Sequence, residues 1–113
     1  MIITAELLRR LGCCSGEMSR FAWRWPEGCE VTIENVIEAH RLGFTLTAIL
    51  IRGWVPRELE IRFREEYQYL GPNPWRVHPN AVAALYVTLA EVIEGPFPWP
   101  NDTAEAWRRK SLD

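Results

Sequence analysis

Ile3-Thr4-Ala5-Glu6-Leu7-Leu8 sets an apolar residue, a threonine, and a second apolar residue four positions beyond the threonine. This is the start of a helix. The hydroxyl can accept a hydrogen bond from one of the first unpaired backbone N–H groups, while the apolar pair closes over the turn as a hydrophobic staple. The same arrangement returns in Val31-Thr32-Ile33-Glu34-Asn35-Val36 and in Phe44-Thr45-Leu46-Thr47-Ala48-Ile49. Gly12 follows the first of these helices and Gly43 the second, where a left-handed C-terminal residue is commonly glycine.

Between these starts, Met18, Phe21, Ala22 and Trp25 fall at i, i+3, i+4 and i+7, an amphipathic stripe that Pro26 and Gly28 terminate. A helix from about Ser15 to Trp25 follows. Ile33, Val36, Ile37 and His40 share one face of the third helix, and Leu46, Ile49 and Leu50 one face of the fourth. Four short helices thus occupy residues 4–54. Over residues 56–70, Leu59, Ile61 and Phe63 alternate with charges as a half-buried strand would. A helix fits better: Pro56 suits its first position, Leu59, Phe63, Tyr67 and Leu70 form a helical stripe, and Glu58/Arg62 and Glu60/Arg64 are i,i+4 pairs in the favoured order. Gly71-Pro72-Asn73-Pro74 then makes a loop carrying Trp75 and His78. Pro79 opens a helix over 79–94 whose Val82, Leu85, Tyr86, Leu89, Val92 and Ile93 are in phase, and Gly95-Pro96 closes it. In Gly95-Pro96-Phe97-Pro98-Trp99-Pro100 the alternating prolines favour an extended polyproline-like strap, which Phe97 and Trp99 should either fold back onto the domain or place in a groove on a partner, as the alternative to the second helix as binding surface. Asp102 or Thr103 can cap a last short helix.

The expected fold is therefore all-α: one domain over residues 1–113, a bundle of six to seven short helices with a proline-rich C-terminal strap. Its 113 residues fit one core. A hydrophobic content of 48% with 25% charged residues is that of a globular chain, and no apolar run approaches the roughly 20 residues of a membrane-spanning helix. A cytoplasmic location is expected, with no membrane partner. The net charge of -2 lacks the basic excess of a dedicated nucleic-acid binder, so nucleic acid is not the expected partner. Two features of composition stand out: arginine supplies all but one of the 13 basic residues, and there are 6 tryptophans. The arginine bias fits either codon usage in a GC-rich genome or a binding surface, since arginine and tryptophan are the residue types enriched at interface hot spots, and composition does not separate the two causes.

Residues able to do chemistry are sparse. Cys13, Cys14, Cys29 and His40 match no metal-ligand spacing, so no metal and no cofactor are expected, and Cys14 and Cys29 read as small buried residues at helix ends. His40 lies on the apolar stripe of its helix as a half-buried side chain, and His78 precedes Pro79 where it can help cap the next helix. The glutamates alternate with arginines along solvated faces. There is no phosphate-binding glycine loop and no paired-carboxylate motif, so the chain is not expected to be an enzyme.

Glu38-Ala39-His40-Arg41-Leu42-Gly43-Phe44-Thr45-Leu46-Thr47-Ala48-Ile49-Leu50 resembles the helix pair that follows the wing in MerR-type regulators. That likeness implies a small helix-turn-helix DNA-binding regulator, the alternative function. The same letters also suit any tight helix-glycine-helix corner, and nothing before Glu38 resembles that family's recognition helix. A second resemblance runs over roughly residues 4–50. Thr4-Ala5-Glu6, Leu8 to Gly12-Cys13-Cys14, Phe21, Trp25-Pro26-Glu27-Gly28 and Val31-Thr32 resemble a pattern shared by small phage- and prophage-encoded helical proteins of uncharacterised function. Cys13 stands in place of that pattern's alanine and Trp25 in place of its phenylalanine. This resemblance implies a mobile-element setting, in which small non-catalytic proteins bind host machinery; inhibitors of host defence, anti-CRISPR proteins among them, are of this size.

The leading expectation is thus a phage- or prophage-encoded interaction module that binds a host or phage protein, with a host defence complex as the foremost target. A phage structural or assembly component is a further alternative. Arg20, Trp23 and Arg24 lie opposite the apolar stripe of the second helix and form the first candidate for a partner-binding surface. The competing arrangement packs Trp23 against a neighbouring helix. Trp54, at a helix end, and Trp75, in a loop, are second candidates.

Overall fold

The computed structural model describes residues 1–46 and 55–95. The two threonine starts that lie wholly within that range are helix caps. Thr4 Oγ1 accepts from the N–H of Leu7 at 3.2 Å and opens α1 (Ala5–Arg10); Thr32 Oγ1 accepts from the N–H of Asn35 at 3.2 Å and opens α3 (Ile33–Arg41). The apolar members of the staples, Ile3 with Leu8 and Val31 with Val36, join the core. Both helices end alike. The N–H groups of Gly12 and Cys13 bond back to the carbonyls of Arg9 and Leu8, and those of Gly43 and Phe44 to the carbonyls of His40 and Ala39. This is the Schellman pattern, with the two glycines at φ +81° and +83°.

Between them α2 spans Ser15–Arg24 and buries Phe21, with Trp25 buried just past its end. The segment that alternates in sequence is helical, α4 (Arg57–Tyr69), with Phe63 buried and Arg64 2.7 Å from Glu60. Pro56 sits one residue before that helix, at its cap. Trp75 lies in a single helical turn, α5 (Pro74–Val77), where a loop is expected, because Pro74 starts a turn whose N–H groups bond back to Asn73 and Pro74. His78 precedes α6 (Pro79–Glu94) without a side-chain cap.

Helix α6 is the centre of the molecule. Ala81, Ala83, Ala84, Thr88 and Ala90 are buried together with Val82, Leu85, Tyr86 and Leu89, so the helix is covered nearly all round rather than along one stripe. Helices α3, α4 and α5 all pack on it, and α1 packs on α2.

The expectation of an all-α bundle needs one correction. Ile2–Ile3 (β1) and Cys29–Glu30 (β2) pair antiparallel, with Ile2 opposite Glu30 and Ile3 opposite Cys29. The amide of Val31 donates to the carbonyl of Met1 at 3.0 Å and extends the pairing. Two-residue strands are too short to imprint alternation on a sequence. Two cysteine assignments also change. Cys29 is buried in β2, whereas Cys14 is exposed, its Sγ standing 3.4 Å from the N–H of Glu17 as the cap of α2. The fourth helix beyond its first residue, Leu46, lies outside the described residues, as do the strap and the last helix.

Candidate protein-interaction surface

Helix geometry alone separates the two sides of α2. Phe21 and Trp25 turn inward and join Phe44 in an aromatic cluster with ring centroids 5.3, 6.0 and 6.1 Å apart. Arg20, Trp23 and Arg24 are left on the other side. Trp23 is 84% exposed, which removes the possibility that it packs against a neighbouring described helix.

The two arginines are held. The Arg20 guanidinium lies over the Phe44 ring, 5.0 Å from its centroid, and donates to the carbonyl of Leu42 in the turn after α3. That of Arg24 lies 4.9 Å from the Trp25 ring centroid and 3.7 Å from a carboxylate oxygen of Glu38. Glu38 is bound more closely by Arg41, at 2.7 Å. Ser19, Arg20, Trp23, Arg24, Leu42 and Phe44 line a groove of about 340 Å³. Leu42 and Phe44 reach it because the Schellman turn at Gly43 folds the chain back beneath α2. Neither was a sequence candidate. Their contribution depends on tertiary placement, and the only local signal was the glycine stop.

Trp75 belongs to a different place. It is half-buried, stacked on His40 at 4.1 Å with the rings 5° from parallel, and its other ring neighbour is Tyr86 at 5.9 Å. His40 is itself exposed, not half-buried in a stripe, since Val36 and Ala39 take the inward side of α3. His40, Tyr67, Asn73, Trp75 and Arg76 border a second cleft of about 340 Å³ that shares no lining residue with the α2 groove. Trp54 lies outside the described residues. The structure therefore brings together Arg20, Trp23 and Arg24 and keeps Trp75 apart from them.

Electrostatic perturbation is modest. Burial pushes the Cys29 thiol up to about 11, and desolvation also raises the Tyr67 phenol. A hydrogen bond from Arg9 lowers the Glu6 carboxyl on the surface of α1. Among the described residues no three His, Cys, Asp or Glu side chains come close enough to hold a metal ion, and no helix is long and apolar enough to cross a membrane. Comparison of the chain with protein-family models, curated proteins and solved structures finds no match.

Proposed function

We propose that this chain is a non-catalytic interaction protein of phage or prophage origin that acts by occupying the surface of a host protein complex, foremost a defence complex. Trp23 is the anchor of that contact. The observation carrying this reading is an indole 84% exposed on α2, at the edge of a groove whose flanking guanidinium groups are already held over aromatic rings. Tryptophan and arginine dominate the energetics of protein interfaces, and side chains ordered before binding lose less freedom when they bind. A bare indole gains most from being covered.

The charge pattern supports a protein partner over DNA. The chain carries a net charge of -2 and so has no overall basic excess of the kind that contacts to many phosphates draw on. The experiment is affinity capture from host lysate, followed by titration of the captured protein with wild-type chain, Trp23→Ala and Trp75→Ala. Trp23→Ala is expected to weaken binding by about 2 kcal/mol or more, and Trp75→Ala to do so far less. Wild-type affinity in a folded Trp23→Ala protein would overturn the reading, as would retention of DNA from the chain's own operon with a steep salt dependence and no protein partner.

A further inference from the structure

We infer that the partner segment bound at the α2 groove is acidic, with carboxylates flanking one apolar side chain that enters the groove beside Trp23. This rests on the interaction reading above and adds the chemistry of the other side. The chain as a whole carries a net charge of -2, yet the described lining of the groove contains Arg20 and Arg24 and no acidic residue. The nearest compensating carboxylate, Glu38, sits 3.7 Å from Arg24 but 2.7 Å from Arg41, so Arg24 receives only a share of it. Arg20 spends one donor on the Leu42 carbonyl; a guanidinium has five, and those left can meet a carboxylate. The groove thus presents a local positive pair on a negatively charged molecule. Such a pair selects an acidic partner and steers its approach.

The apolar requirement comes from the remaining walls. Leu42, Phe44 and the Trp23 indole give the groove its apolar surface, and its volume of about 340 Å³ accommodates a leucine or aromatic side chain with adjoining backbone. Arg20 and Arg24 are one helical turn apart, so they bracket whatever enters between them. A nucleic acid would satisfy the arginines and could stack a base on Trp23. It would leave Leu42 without an apolar mate, however, and the chain's overall negative charge would oppose a long polyanion.

The test uses the full chain, labelled with ¹⁵N, titrated with four probes. These are a twelve-residue peptide of aspartate and glutamate around a central Leu-Phe pair, the same peptide with serines at the centre, the same peptide with lysines for the acids, and a twelve-nucleotide oligothymidine. The Trp23 indole N–H resonance, identified by its loss in Trp23→Phe, is the reporter. The acidic Leu-Phe peptide is expected to shift that resonance and the α2 amides, and to bind about tenfold or more weakly to Arg24→Glu. The serine peptide is expected to bind similarly weakly, and the lysine peptide and the oligonucleotide to leave the indole unmoved. Because Arg20 also holds the Leu42 carbonyl, Arg24→Glu is the primary variant, and the dispersion of its amide spectrum is the check that it is folded. An equal response to the lysine peptide, tighter binding of oligothymidine, or no shift with the acidic Leu-Phe peptide would each overturn the inference. Selection of binders from a random peptide library separates the two levels. Trp23-dependent binders without acidic residues would sink the acidic partner and leave the interaction surface standing; an absence of Trp23-dependent binders would remove both.

Discussion

Cys29 ties a protonation equilibrium to the fold. Its side chain is buried in β2 beside Ile3, its Sγ lies 3.5 Å from the carbonyl of Glu30, and desolvation pushes its thiol up to about 11. The native state therefore keeps a proton that the unfolded chain gives up at lower pH, and stability falls as pH rises between the two values. The expected outcome is a loss above about pH 9 of up to 1.4 kcal/mol per pH unit, ending near the folded value. Tyr67, also raised by desolvation, adds a loss of the same sign. Urea midpoints from pH 8 to 10.5 for wild type and Cys29→Ala check it: the variant should show the shallower alkaline decline, and parallel curves would refute the assignment. Trp23 and Arg24 were legible at this scale because their positions on the helical wheel are fixed by the stripe they oppose. The placement of Arg20 over Phe44 was not, since it joins residues from different elements.

At the scale of elements, capping carries most of what could be read. Thr4 and Thr32 each satisfy an N–H that would otherwise face water at a helix start, and each is followed by its staple. Thr32 matters more for the interaction surface, because α3 carries Glu38 and ends in the turn that delivers Leu42 and Phe44. Thr32→Ala is expected to cost about 1 kcal/mol and Thr32→Ser only a fraction of that, because serine keeps the accepting oxygen. A urea midpoint for Thr32→Ala equal to wild type would show that the cap contributes nothing. Two elements were not legible. The strands were too short for a period to appear, and α6 read as a single stripe because alanine and threonine register weakly as core residues. Their small volume lets α3, α4 and α5 approach α6 on several sides.

At the scale of the molecule, a small sheet joins two regions that the helix pattern alone leaves unconnected. β1 pairs with the connection between α2 and α3, and the amino terminus of Met1 lies 2.6 Å from Glu94 at the far end of α6. The position of α2 relative to the core thus depends on the turn at residues 26–28 as well as on the Phe21, Trp25 and Phe44 cluster. Gly28 is the point at which that turn meets β1. Its φ is +102°, and a Cβ there would lie 2.8 Å from Cγ2 of Ile2 and 3.3 Å from the carbonyl oxygen of Ile3. Gly12 provides the comparison: its φ is +81°, and a Cβ would meet nothing within 4 Å. Gly12→Ala is therefore expected to cost about 1–2 kcal/mol, the backbone penalty alone. Gly28→Ala adds displacement of Ile2 and pressure on the β1 backbone, and is expected to exceed Gly12→Ala by about 1 kcal/mol or more. Paired denaturation curves measure the difference, and equal losses would mean that β1 yields freely and that the sheet does not fix α2. A second readout separates stability from geometry. If the sheet positions the groove, Gly28→Ala should also move the Trp23 indole resonance under conditions where the protein remains folded, whereas Gly12→Ala should leave it in place.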